Sequence, residues 1–163
     1  MARCHTRSIL SAYKGFLHES DLAIFTEAET SLRITSQIKS LDRMLVALVE
    51  DRIVGHARWG GVDADYWPYQ VLVHALFIDP DHQRHRAGSA LLRECAQEAR
   101  SSGNDGMMIG AFIDNKPAME WYARVGGRVI EEAPLQLGSH SYTSAFFAFD
   151  DLPALCSRLS GSF

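Results

Sequence analysis

Cysteine is scarce: Cys4, Cys95 and Cys156 are the only three, an odd number at wide spacing. No pair has the spacing of a metal clip or a redox motif, so free thiols, a reducing compartment and a cytoplasmic location are expected. Lysine is scarce too, with 3 Lys beside 13 Arg. The 16 basic residues are outnumbered by 20 acidic ones, giving a formal net charge of −4. That balance argues against a general binder of nucleic acid or of an anionic membrane. Long apolar runs are also missing. The longest strongly apolar stretch free of Asp, Glu, Lys and Arg, Tyr66–Ile78, has 13 residues, against the roughly 20 that span a bilayer. No apolar signal core follows the basic residues near Met1, so no leader is expected.

No Pro/Gly/Ser-rich linker, internal repeat or low-complexity segment divides the chain, which reads as a single domain over residues 1–163. With 47% hydrophobic and 22% charged residues it has the composition of a folded globular protein. A chain of this length buries roughly 70% of its unfolded surface and needs neither disulfide nor metal to hold a core.

Hydrophobic spacing then gives the order of elements. Ile9, Tyr13, Phe16 and Leu17 fall at helical spacing, and a second helical pattern carries Leu22, Phe25, Leu32, Ile34 and Ile38. A hairpin follows, Met44–Glu50 and Ile53–Trp59 around a tight turn at Asp51-Arg52. Val71–Ile78 is nearly all apolar, as a central strand covered on both faces would be. A helix is expected over Ala87–Arg100, with Ala90, Leu91, Cys95 and Ala99 on one side. Met107–Ile113 reads as a buried strand, and Asp114 as the cap of a helix reaching Arg124. Arg128–Glu131 and Ser144–Phe149 read as the last two strands. The fold class is mixed α/β: one central sheet flanked by helices.

The chemistry concentrates between Val71 and Ser101. A buried strand stops at Asp79-Pro80, and Asp81 to Ser89 open directly into a helix. That junction aims unpaired amides and the positive end of a helix dipole at one spot, a ready anion site beside Arg84 and Arg86. The alternative is a solvated surface loop. Gly-x-x-x-x-Gly-Lys-Ser/Thr and Gly-x-Gly-x-x-Gly runs are both absent, which argues against nucleoside triphosphate and dinucleotide loops. Asp79, Asp81, His82 and His85 lie close together, but they straddle a proline turn without metal-site spacing, so no metal is expected.

His82-Gln83-Arg84-His85-Arg86-Ala87-Gly88-Ser89-Ala90-Leu91-Leu92 resembles the acetyl-CoA pyrophosphate loop of the GCN5-related N-acetyltransferases, whose pattern, here starting at Gln83, is Q/R-x-x-G-x-G/A followed by a small residue and a Leu pair. Asn115-x-x-Ala118-x-x-Trp121-Tyr122 resembles the next motif of that family, N-x-x-A-x-x-F-Y. The resemblance runs from about Arg7 to Leu155. It implies a mixed, mostly antiparallel sheet with acetyl-CoA as co-substrate and no metal. Acetyl-CoA would lie along the backbone of Leu76, Phe77 and Ile78 and on Gln83, Arg84, His85, Arg86, Ala87, Gly88 and Ser89, with Asn115 and Tyr122 alongside.

Three departures stand out. Arg86 occupies the middle glycine position. Met1–Ser8 already resembles the interior of the first helix, so the family's first strand is expected to be missing. Leu72 stands where many members carry a Glu general base.

The resemblance makes Tyr122 the acid that protonates the departing thiolate, against a plain packing role. Alternation places Leu72, His74 and Leu76 on one strand face, so His74 is the candidate base, against a satisfied core histidine. An acidic and aromatic loop, with Asp63, Asp65, Tyr66, Trp67 and Tyr69, is expected beside the substrate mouth. The expected activity is direct acetyl transfer to a primary amine of a small molecule, peptide or protein. Rival readings are a CoA-binding module without catalysis and a scaffold or dimerisation domain. No nucleic-acid or membrane partner is expected, and a homodimer is left open.

Overall fold

A computed structural model describes residues 1–38, 42–62 and 65–161. The chain opens with helices α1 (Ala2–Tyr13), α2 (Glu19–Leu22) and α3 (Glu27–Ile38). There follow β1 (Arg43–Val49), β2 (Arg52–Gly61), β3 (Val71–Ile78), α4 (Ala87–Ser101), β4 (Met107–Phe112), α5 (Lys116–Arg124), β5 (Arg128–Leu137), β6 (His140–Phe149) and α6 (Leu152–Ser160). The six strands form one sheet in the order β1-β2-β3-β4-β6-β5. Only β3 and β4 run parallel, and α4 makes the crossover between them. This is the mixed, mostly antiparallel sheet flanked by helices that the sequence implied, with a helix before the first strand.

β3 is apolar apart from His74, with α1 packed on one face and α4 on the other. On the α4 side, Leu91, Leu92, Cys95, Ala96 and Ala99 meet Val71, Val73, Met107, Ile109 and Phe147, with Leu155 and Leu159 of α6 closing the layer. Each such Leu or Phe side chain contributes about 2 kcal/mol on leaving water. Ala90, expected on this face, is exposed, and Leu92 and Ala96 take the buried places. On the other side Ile9, Leu17, Leu22, Phe25 and Phe112 form a second cluster. Leu32, expected in the helical core pattern, is 68% exposed.

Polar contacts pin the N-terminal helices to the sheet. Arg7 of α1 reaches Asp81 at 2.8 Å and Asp79 at 3.5 Å, just beyond β3. Thr6 donates to Thr30 of α3 at 3.0 Å. Buried Asp21 of α2 accepts from the Tyr142 hydroxyl at 2.6 Å and from the Ser139 amide at 3.2 Å, and lies 2.8 Å from His140 Nδ1. These bonds, the Tyr142 hydroxyl foremost, hold the Asp21 carboxyl below its ordinary pKa. They also explain Gly138 in the β5–β6 turn. Its φ is +58°, and a Cβ there would stand 2.3 Å from Asp21 Oδ1.

Several boundaries differ from expectation. Glu50 and Asp51, not Asp51 and Arg52, make the first hairpin turn, both with positive φ as a two-residue hairpin loop requires. Asn115 rather than Asp114 caps α5, its side chain accepting from the Ala118 amide. β5 and β6 extend beyond the expected spans, through polar residues and through Pro134, which lacks an N–H for the ladder. α6 was not expected; Asp151 caps it by accepting from the Ala154 amide at 2.8 Å, with Pro153 in its first turn.

Candidate active site

The site begins with a parting of strands. β3 and β4 pair only at Leu72 with Met108 and at Val73 with Ile109. Beyond these pairs, among the described residues, β3 keeps β2 on one side and turns the backbone of its C-terminal half toward an open wedge on the other. A cavity of about 560 Å³ fills that wedge. Amides and carbonyls without ladder partners line it, a surface that an extended amide-bearing ligand can pair with like an added strand.

A bulge sets which side chains enter. Arg58 of β2 pairs with Ala75 and Trp59 with Val73, so His74 is the extra residue on β3. Its consequence corrects the expected alternation. Val71 and Val73 face the α4 layer before the bulge, and Leu76 and Ile78 pack against that layer after it, while Phe77 turns to the α1 side. Leu76 therefore does not share a face with Leu72 and His74. His74 itself is exposed to the cavity. Surrounding protein lowers its pKa, Arg58 lowers it further, and Asp42 opposes them.

The loop from Gln83 to Ser89 closes the far end of the wedge. Arg84 and Arg86 both take the left-handed conformation, with φ of 63° and 66°. Arg86 is the N-cap of α4 and makes no side-chain cap bond, and the first helical bond is the Ala90 amide to the Arg86 carbonyl at 2.9 Å. The amides of Ala87, Gly88 and Ser89 thus precede the helical ladder at the positive end of the dipole. The Arg86 guanidinium donates to the Gly161 carbonyl at the end of α6. Gln83 donates from Nε2 to the Ile78 carbonyl at 3.2 Å.

Of the residues singled out in the sequence, His74, Leu76, Phe77, Ile78, Gln83, Arg84, Arg86, Gly88, Ser89, Asn115 and Tyr122 all line this one cavity. His85 and Ala87 do not line it; His85 Nδ1 lies 2.8 Å from the Gln83 carbonyl. Tyr122 is 6% exposed and its phenol is held above its ordinary pKa by burial and by the neighbouring Tyr13. Tyr13 is raised to about 12 by burial. Spacing marked Tyr13 only as a helix-face residue, yet it lines both this cavity and an adjoining one. Among the described residues no cluster of His, Cys, Asp and Glu is placed to hold a metal.

The expected mouth loop is described only in part, since Asp63 and Ala64 lie outside the described residues. Tyr66 donates to Glu131 at 2.6 Å, Tyr69 to Asp150 at 2.7 Å, and Trp67 packs on Phe146 at 4.7 Å between ring centroids.

Comparison with known proteins agrees with this geometry. The sequence model of the acetyltransferase (GNAT) family matches residues 9–127. The chain belongs to that family. It is also 32% identical over 54 residues to an uncharacterized N-acetyltransferase of Methanocaldococcus jannaschii, a match spanning 33% of this chain and 24% of that protein. Among solved structures, a GCN5-related N-acetyltransferase of Rhodopseudomonas palustris superposes with a TM-score of 0.71 at 18% identity, covering 91% of this chain and 86% of that one. The PaiA N-acetyltransferase of Thermoplasma acidophilum, solved with coenzyme A, gives 0.65 at 15% identity over 88% of each chain. The yncA protein of Salmonella typhimurium, solved with acetyl-CoA, gives 0.65 at 19% identity, covering 91% and 85%. These likenesses show the GNAT fold. No helix among the described residues is long and apolar enough to cross a membrane.

Proposed function

We propose that this GNAT-family chain transfers the acetyl group of acetyl-CoA directly to a primary amine. One observation carries the reading: the β3–β4 wedge, the start of α4, His74 and Tyr122 all open into a single cavity. The wedge backbone would hold the pantetheine chain, and the amides of Ala87 to Ser89 with Arg84 and Arg86 would take the pyrophosphate. The thioester supplies the acetyl group and a thiolate leaving group. The new C–N bond forms as the C–S bond breaks. His74, whose depressed pKa keeps it neutral near pH 7, accepts the proton shed by the amine nitrogen. Tyr122, held protonated by its buried site, donates a proton to the departing sulfur. A backbone amide of Leu76, Phe77 or Ile78 would polarise the thioester carbonyl.

A second reading, a CoA-binding module without turnover, is favoured by the absence of any carboxylate lining the cavity among the described residues, with Leu72 in the usual place of the acid. Release of free thiol from acetyl-CoA, followed over a panel of amines alongside calorimetric titration of acetyl-CoA, separates the two. Amine-dependent thiol release supports transfer; tight binding with no release supports the module; no binding discards both.

A further inference from the structure

A second cavity of about 270 Å³ adjoins the wedge and shares Tyr13, Val73, His74, Gly110 and Ala111 with it. Its remaining wall comes from Leu72 of β3, Phe112 of β4, Ala133, Pro134 and Leu135 of β5, and Ser144 and Phe146 of β6. Because His74 and Tyr13 stand where the two cavities meet, an amine held beside His74 places its substituent in the smaller one.

Most side chains of that wall are apolar, with His74, Ser144 and the Tyr13 hydroxyl as its polar groups. Three aromatic rings, Tyr13, Phe112 and Phe146, face it together with Leu72 and Leu135. Leu135 is 47% exposed and Pro134 is exposed, so the rim is apolar and open to solvent. The Trp67 ring backs Phe146, and Phe112 is braced edge-on by Tyr13 at 5.1 Å and by Tyr142 at 5.7 Å. Three aromatic rings beside an exposed apolar rim offer a contact surface to a compact apolar group.

Charge points the same way. Among the described residues no Asp or Glu lines either cavity. Three nearby carboxylates already have partners: Asp21 is bonded to Tyr142, Glu131 to Tyr66, and Asp42 to Arg58. Arg58 and its partner Asp42 act on His74 with opposite signs, so that ion pair leaves no unbalanced negative charge there. A second ammonium held against this wall would lose water with no carboxylate lining it among the described residues.

We infer that the acceptor is a small primary amine bearing one aryl or branched aliphatic group and no second positive charge. This inference rests on the acetyltransferase reading above. Polyamines, aminoglycoside-like polycations and lysine-rich peptides are disfavoured by the same wall.

The test compares 2-phenylethylamine, 3-methylbutylamine, ethanolamine, 1,4-diaminobutane and spermidine by thiol release from acetyl-CoA. The inference expects kcat/KM for the two apolar amines to exceed that for ethanolamine and both polyamines at least tenfold, since even one methylene in an apolar pocket is worth roughly tenfold or more. Leu135→Asp, on the exposed rim, should narrow or invert the ratio of 2-phenylethylamine to 1,4-diaminobutane. A preference for diamine or spermidine in the unaltered protein, or an unchanged ratio in Leu135→Asp, overturns the inference while leaving acetyl transfer standing. If no amine is turned over, calorimetric titration of 2-phenylethylamine and 1,4-diaminobutane into the CoA-saturated protein decides. Selective binding of the aryl amine upholds the pocket's class and removes the transfer reading. Binding of neither amine, or of the diamine alone, overturns the inference.

Discussion

Nδ1 of His5 lies 3.0 Å from Nε2 of His56, a hydrogen bond between a half-buried and a fully buried imidazole that ties α1 to β2. The rings stack at 5.0 Å between centroids, and Phe77 lies against both. Burial lowers the two pKa values to about 4 for His5 and about 3 for His56, with Arg33 and Arg58 adding to the effect at His5 and His5 itself adding to it at His56. Both rings are therefore neutral at pH 7, one donating and the other accepting.

Linkage turns this pair into an acid sensitivity. The folded pKa values lie below the unfolded imidazole value, so the stabilisation is complete above about pH 6.5 and is lost as pH falls toward 4. Two protons taken up on unfolding give a slope of up to about 3 kcal/mol per pH unit within that window. Urea denaturation between pH 7 and pH 5 should show the decline well above the carboxylate range. His56→Gln should remove about half of the slope. An unchanged slope in that variant would detach the acid sensitivity from the pair.

Arg86 spends backbone energy on its left-handed conformation, with φ of 66°. Arg86→Gly and Arg86→Ala both lose the guanidinium bond to the Gly161 carbonyl, and only the first relieves the backbone. Arg86→Gly is thus expected to be more stable than Arg86→Ala by about 1 kcal/mol, read from denaturant midpoints. Equal stability would mean the backbone relaxes without cost.

Tyr122→Phe removes the hydroxyl and leaves the ring in its contacts with Trp121 and Phe147. Thiolate protonation develops only as the C–S bond breaks, so kcat should fall about 10²-fold with KM for acetyl-CoA little changed. An unchanged kcat reassigns the side chain to packing.

His74 has a lowered pKa, so kcat/KM should rise with pH through an apparent value below 6.5, once corrected for the free-amine fraction. His74→Gln keeps volume and hydrogen bonding, and it should flatten that limb and slow turnover about 10²-fold. A preserved limb means the amine loses its proton by another route.

The elements that depend on local spacing were legible in the residues. Apolar Val71–Ile78 and the Ala87 helix marked the central strand and its crossover, and the loop between them carried the family signature. What spacing could not carry is the extra residue. The bulge at His74 is a relation between two strands, and it swaps the faces of Leu76 and Phe77 relative to strict alternation. The smaller cavity was hidden for a similar reason: Tyr13, Phe112, Leu135 and Phe146 come from four elements, and each alone reads as an ordinary core or surface residue. α6 was missed although Asp151 and Pro153 are good start signals, because nine residues leave too few apolar repeats to stand out.

The central claim is that acetyl leaves acetyl-CoA and arrives on an amine nitrogen within one cavity. Acetyl-CoA carrying a ¹³C-labelled acetyl group, incubated with the protein and 2-phenylethylamine, tests it when thiol release and the labelled amide are quantified together by mass spectrometry. The account predicts one labelled amide for each thiol released. Thiol release without amide, or acetyl-CoA bound and left intact with every amine offered, would contradict it.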